Sequence, residues 1–212
     1  MLQHSPLIAH IIYKLDVGGL ENGLVNLINA MPEQRYRHAI ICLTHATDFR
    51  QRIRNPDVSI HEIHKADGKS LLYYWKIYQC LRQLKPDIVH SRNLATIECQ
   101  LPAFLAGVSF RVHGEHGWDV YDADGSNVKY QWLRRFFSLF VDHFIPLSQQ
   151  LEQYLIEKIK IAPTRINRIC NSVDTARFYP DHAGRKTIDG CPFTEPNQCL
   201  IGTVGRMHGV KD

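Results

Sequence analysis

No run of 18 consecutive apolar residues occurs in this 212-residue chain, so no segment is long enough to cross a membrane as a helix. The first 14 residues lack a basic leader, and His10 interrupts their short apolar stretch, which argues against a secretory signal. The six cysteines, Cys42, Cys80, Cys99, Cys170, Cys191 and Cys199, include no C-x-x-C pair and read as reduced thiols of a cytosolic protein. At a net charge of +4 there is no basic tail and neither half is strongly basic, so the electrostatic case for nucleic acid is missing. Internal repeats and low-complexity tracts are absent. So is the G-x-G-x-x-G dinucleotide fingerprint, and Gly23 is followed by Leu24-Val25 where a P-loop needs Lys and Ser or Thr.

What is present is an ordinary globular composition, 44% hydrophobic and 22% charged, of a length for one large domain or one domain and a piece of another. Short apolar runs at 7–13, 38–43, 58–64, 87–91, 110–113, 143–147 and 166–170 read as strands. Residues 20–31 repeat apolar positions at helical spacing and stop at Pro32. Further helices are predicted over 49–54, 70–84, 94–106 and 127–141, and from a Ser148 cap to Lys160. The apolar face of the 70–84 helix reads as Leu71, Tyr74, Trp75, Tyr78 and Leu81. This alternation predicts an α/β fold with a Rossmann-like, doubly wound parallel sheet. Ligands of such sheets bind beyond the carboxyl ends of the strands, so the informative residues should follow each strand. Between Thr175 and Gln198, prolines, glycines and aspartates make a linker, and 199–204 reads as one more buried strand. The expected organisation is a domain over 1–175, a linker over 176–198, and the first strand and loop of a truncated second domain over 199–212.

Gly18-Gly19-Leu20-Glu21 separates the first strand from the first helix. A helix N-terminus reached through two glycines suits a phosphate; the plainer alternative is a tight turn that needs positive φ. His90-Ser91-Arg92-Asn93 follows another strand, and Arg92 and Asn93 suit a phosphate or sugar hydroxyls, or an exposed helix start. His113-Gly114-Glu115-His116-Gly117 follows a third. His113 and His116 with Asp119, Asp122 and Asp124 admit a metal-site reading, but no fixed ligand spacing recurs, so no metal is assigned. A hydrogen-bonding role toward a polar substrate fits equally well, and Asp122 and Asp124 also read as a solvated acidic loop. Residues 129–140 interleave Lys129, Arg134 and Arg135 with Tyr130, Trp132, Phe136, Phe137 and Phe140. Such a helix suits an anionic membrane surface, but the preferred reading is an aromatic stripe in the core with the arginines at its wet edge. His4, His38, His45 and His182 have no evident partner.

Four of these segments resemble the large retaining glycosyltransferase family 4, of the GT-B fold. They are Gly18-Gly19-Leu20-Glu21, the 112–117 stretch Val-His-Gly-Glu-His-Gly, the 171–180 stretch Asn-Ser-Val-Asp-Thr-Ala-Arg-Phe-Tyr-Pro, and the 205–211 stretch Gly-Arg-Met-His-Gly-Val-Lys. The last two are the specific ones. Ser172 stands where the family has glycine, and the acidic E-x(7)-E segment of the donor domain is missing. The chain is most similar to the sugar transferases of bacterial exopolysaccharide clusters. The resemblance implies two facing Rossmann-like domains, of which 1–175 is the acceptor side and 199–212 the start of the donor side. It implies transfer of a sugar from a nucleotide-sugar to a glycan or lipid-linked acceptor, with retention and without a cofactor. The site would be cytoplasmic, with possible peripheral contact on the inner membrane. By the same resemblance His116 faces the transferred sugar and donor phosphate, Gly18 and Gly19 border the cleft, and Arg206 and Lys211 hold the donor diphosphate. Arg92, Asn93 and Glu115 are added to the acceptor side from their strand-end positions alone. The fragment by itself is expected to be inactive. The competing expectations are a non-catalytic acceptor-binding module, a GT-B sugar-nucleotide epimerase and a metal-dependent hydrolase.

Overall fold

The computed structural model describes residues 5–66, 71–119, 122–176, 178–180, 190–193, 195 and 200–202. Six strands, β1 (Leu7–Ile12), β2 (Arg37–Cys42), β3 (Ser59–Glu62), β4 (Ile88–Arg92), β5 (Phe110–Glu115) and β6 (His143–Pro146), form one sheet. Every pairing is parallel and the order is β3-β2-β1-β4-β5-β6. Five of the six residues of β1 and of β2 are buried, as an interior strand covered on both faces requires. Helices α1 (Gly19–Ala30), α2 (Leu71–Leu84), α3 (Leu94–Ile97), α4 (Gln100–Leu105) and α5 (Val128–Phe137) lie in the crossovers, a 3-10 turn at Asp48–Arg52 joins β2 to β3, and α6 (Gln149–Tyr154) follows β6.

The pleat divides the core in two. On one face, α1 lays Leu24, Val25 and Ile28 against Ile12, Leu15, Ile40 and Cys42. On the other, Tyr73, Ile77 and Leu81 of α2 and Ala103 of α4 pack on Ala9, Ile11, Ile41 and Val89. The buried face of α2 therefore differs from the sequence expectation. Trp75 is 55% exposed and stacks on Tyr78 at 5.2 Å on the outer surface. Residue size misled the reading, because Ile77 sits at the centre of the stripe that the sheet covers. Tyr73 and Tyr74 turn their hydroxyls to Glu98.

Three further boundaries depart from expectation. The 94–106 helix breaks between α3 and α4, at Glu98 and Cys99, not at Pro102. Pro102 falls in the first turn of α4, where the N–H that proline lacks has no helical partner to lose. Strand β5 runs through Glu115, so that residue belongs to the sheet and not to the following loop. The 166–170 segment makes only a bridge from Ile166 to Phe144 and two parallel-type bonds, from Asn167 N to Phe144 O at 3.0 Å and from Ile169 N to Pro146 O at 3.2 Å. Ser148 does cap α6, its hydroxyl accepting from Leu151 N at 3.2 Å.

The chain divides into two units, Met1–Asn171 and Ser172–Asp212. In the second, the Asp174 carboxylate accepts from Ala176 N at 3.0 Å and closes a short turn. Leu200, Ile201 and Gly202 carry no regular secondary structure. Gly205, Arg206 and Lys211 lie outside the described residues.

Candidate active site

The connections leaving β1 and β4, neighbours in the sheet, run in opposite directions, so their carboxyl ends open a crevice at the topological switch point. Gly18 and Gly19 follow β1, Arg92 and Asn93 end β4, and Glu115 and His116 end β5. The fold thus brings all the described site candidates to one edge of the sheet.

Gly18 is the N-cap of α1 with extended backbone, φ −163° and ψ 164°, and neither it nor Gly19 has positive φ. The turn therefore does not need glycine for handedness. The Glu21 carboxylate folds back over Gly18, into the place a Cβ would take, and a side chain at 18 would displace that carboxylate. A carboxylate accordingly stands at the helix start that suits a phosphate.

Asn93 has positive φ, 60°, and ties two strand ends together. Its N–H donates to Gly114 O at 2.8 Å, and its side-chain Oδ1 accepts from His116 N at 2.7 Å. Asn93 fixes the loop that carries His116. The His116 ring lies over Gly114: a Cβ on Gly114 would stand 2.6 Å from His116 Nε2 and 3.1 Å from His90 Nε2. Burial, then the charge of Arg92, hold His116 at about 3, so the imidazole is neutral at physiological pH.

Arg92 is 3% exposed. Burial lowers its guanidinium to about 9, which leaves it cationic. One terminal nitrogen approaches His10 Nδ1 and His90 Nδ1, each at 3.2 Å. His10 continues to His38, Nε2 to Nδ1 at 3.0 Å. His10 and His90 are register partners on β1 and β4. Burial, then Arg92, keep both well below the usual imidazole range. His38, without evident partner in the sequence, is the end of this chain. The sequence signal was available: a histidine in the middle of each of two apolar runs.

A second network lies on the opposite face of the sheet. Ser91 Oγ accepts from Gln100 at 2.6 Å and contacts His113 Nδ1 at 2.7 Å. The Glu115 carboxylate accepts from Arg134 Nε at 2.8 Å and lies 3.5 Å from His113 Nε2. Glu115 and Arg134 are 1% and 2% exposed. Burial alone would raise the Glu115 carboxyl; His113 and Arg134 overcome it and hold it well below the usual range. Two expectations are corrected here. Glu115 is engaged by a buried arginine in the sheet, and does not project from a loop. Arg134 is a core residue, because it lies on the α5 face opposite Trp132 and Phe136.

His113 and His116 fall on opposite sides of β5, since neighbouring strand residues point to opposite faces. That separates the two imidazoles of the metal-site reading. Asp122 is 4% exposed and accepts from Asn127 N at 2.9 Å, while exposed Asp124 accepts from Ser126 N. Surface depressions of about 600 and 380 Å3 lie beside β3 and α2 and beside the start of β5. Neither is lined by His10, His90, Arg92 or His116, so neither is the crevice.

A six-stranded parallel sheet in this order, with a polar wall at its switch point, fits the Rossmann-like half of a GT-B fold. The Glycosyltransferase Family 4 sequence model matches residues 17–177, and the chain belongs to that family. It is 28% identical over 219 residues to the Escherichia coli UDP-Gal:alpha-D-GlcNAc-diphosphoundecaprenol alpha-1,3-galactosyltransferase, covering 99% of this chain and 56% of that protein. The chain thus spans about half the length of the curated relative it matches. In fold it is similar to HepE of Anabaena, solved with UDP and glucose, at a TM-score of 0.65, 13% identity, and 84% and 47% coverage. It is also similar to the lipopolysaccharide outer core galactosyltransferase WaaB, at a TM-score of 0.58, 15% identity, and 79% and 46% coverage.

Proposed function

We propose that the protein carrying this chain transfers a hexose from a nucleotide-sugar to a glycan or lipid-linked acceptor in bacterial polysaccharide synthesis, retaining the anomeric configuration. The observation that carries the proposal is the neutral His116 imidazole, held by Asn93 at the switch-point crevice of a Glycosyltransferase Family 4 chain. A neutral imidazole donates one hydrogen bond without bringing a charge. That suits an oxygen of the leaving diphosphate, or a sugar hydroxyl, as the glycosidic bond breaks. The carboxylate beside it, Glu115, is bound to Arg134 and is not placed to attack a sugar. The contribution of this wall is then stabilisation of developing charge, not covalent catalysis. Gly18 and Gly19 would border the donor, and Arg206 and Lys211 would hold its diphosphate by charge. Arg92 and Asn93 act behind the wall, shaping the acceptor side. No cofactor or metal is needed in this scheme, so chelator should leave the rate unchanged.

The curated relative is named for a diphosphoundecaprenol substrate. A lipid acceptor calls for a membrane-facing surface, and α5 supplies the support for one. Val128, Trp132, Phe136 and Leu139 are 61%, 63%, 54% and 73% exposed and recur on one side of the helix and its continuation. Lys129 and Arg135 flank them. An apolar stripe with basic edges is the pattern of an interfacial helix. This revises the expectation that the aromatic stripe is core: Phe137 is buried, but Trp132 and Phe136 face outward. This stripe supports peripheral contact with the membrane as part of the proposal. The W132S/F136S double variant is expected to lose binding to vesicles of anionic phospholipid while keeping its unfolding midpoint.

The experiment for the reaction supplies the full-length protein with a panel of UDP-, GDP- and dTDP-sugars and a short-chain lipid diphosphate acceptor. NMR of the new linkage reads the anomer. Acceptor-dependent transfer with the donor's configuration supports the proposal. Release of a new free sugar-nucleotide without acceptor would show an epimerase instead.

A further inference from the structure

The Arg92 guanidinium can only donate hydrogen bonds, and among the described residues its side-chain partners are His90 O at 3.4 Å and the two imidazole nitrogens, His10 Nδ1 and His90 Nδ1. Both Nδ1 atoms must therefore present lone pairs. A neutral imidazole with a bare Nδ1 carries its proton on Nε2. His10 directs that proton to His38 Nδ1. His90 does not: its Nε2 is buried and has no hydrogen-bond partner among the described residues. The same is true of His116 Nε2. Both nitrogens converge over Gly114, where no side chain intervenes. Arg92, meanwhile, keeps a buried positive charge with no carboxylate bonded to it among the described residues. An unused N–H donor beside an uncompensated cation is a complement for an anionic oxygen.

We propose that His90 is a second substrate-binding residue, whose Nε2–H, oriented by Arg92, donates to a phosphate oxygen of a diphosphate seated between the His90 and His116 rings. His116 is the half carried by a loop, since it is a half-buried residue that follows β5. His90 is the fixed half, on β4. Arg92 is a positioning residue: it sets the His90 tautomer from behind and supplies charge without touching the ligand. The assignment rests on the transferase reading for its ligand class, since both the nucleotide-sugar and a lipid-linked acceptor carry a diphosphate. The His90 tautomer is set by Arg92 whatever the ligand.

The test is 15N NMR of the full-length protein labelled at histidine, with UDP in one arm and a water-soluble short-chain prenyl diphosphate in the other. In the free protein His90 is expected to carry its proton on Nε2 with Nδ1 bare. Addition of one of the two diphosphates should shift the His90 Nε2 and His116 resonances together, and the arm that does so identifies the source. His90→Phe, which keeps a ring but no donor, should weaken binding of that diphosphate by about 10- to 100-fold. His90→Gln, which restores an N–H, should recover part of it. A His90 protonated on Nδ1 overturns the inference. So does a diphosphate that moves His116 and leaves His90 unmoved, although the transferase reading then stands. Both rings silent to both diphosphates overturns the inference and the proposed site together.

Discussion

Acidification should unfold this chain in a pH window set by its histidines. His10, His90 and His116 are each buried neutral, with folded pKa values depressed from the ordinary 6.5. A depressed folded value means that the unfolded chain binds the extra proton. The stabilisation is therefore complete above about pH 6.5 and is lost as pH falls toward the folded values. Each such group costs about 1.4 kcal/mol per pH unit, or about 2 kcal/mol between pH 7 and 5. His116, held at about 3, accounts for about 2 kcal/mol over that range, and His10 and His90 act in the same direction. His38 and His61 shift in the same direction. Glu115 does not confuse the window, because a carboxyl with an ordinary value of 4.5 contributes only below that pH. The assay is urea unfolding of the 212-residue chain at half-unit steps from pH 7.5 to 5. The unfolding free energy should fall as pH drops through this window, and His116→Gln should reduce the slope by about one proton. A stability flat from pH 7 to 5, or a slope unchanged in His116→Gln, would refute the burial argument.

Other outcomes follow from single contacts. Glu115→Gln removes the bonded carboxylate of buried Arg134 and leaves it only Asp122 Oδ2, at 3.8 Å, and should cost about 2–4 kcal/mol in urea unfolding. Gly114→Ala puts a methyl 2.6 Å from His116 Nε2, and should abolish most transfer while lowering stability by only about 1–3 kcal/mol. Asn93→Ala frees the His116 loop by removing the acceptor of His116 N, so transfer should fall about tenfold or more with little change in donor binding.

Much of the crevice was legible before any coordinates, because it lies where strands end. Gly18, Arg92 and His116 each follow an apolar run, and a doubly wound sheet collects such positions at one edge. What stayed hidden depends on neighbours distant in sequence. Arg92 meets His10 across 82 positions, and Arg134 meets Glu115 across 19, through a loop whose path no periodicity predicts. Glu115 therefore read as a loop carboxylate, and Arg134 as a solvated one of two arginines. Trp75 shows a different limit. A large aromatic weighs heavily in an apolar stripe, yet the sheet selected the stripe centred on Ile77. The double glycine was legible as the turn before α1, but neither residue has positive φ; the structure adds the Glu21 carboxylate folded over Gly18 and open space at Gly19.

The central claim is that His116 acts at a sugar-transfer crevice formed by the ends of β1, β4 and β5. The most direct measurement compares the full-length wild type with His116→Ala, supplied with the nucleotide-sugar it uses and a lipid diphosphate acceptor. The account predicts acceptor-dependent transfer that drops by about 100-fold or more in His116→Ala at unchanged fold, the loss typical of a removed transition-state donor. Transfer at the wild-type rate in His116→Ala would contradict it.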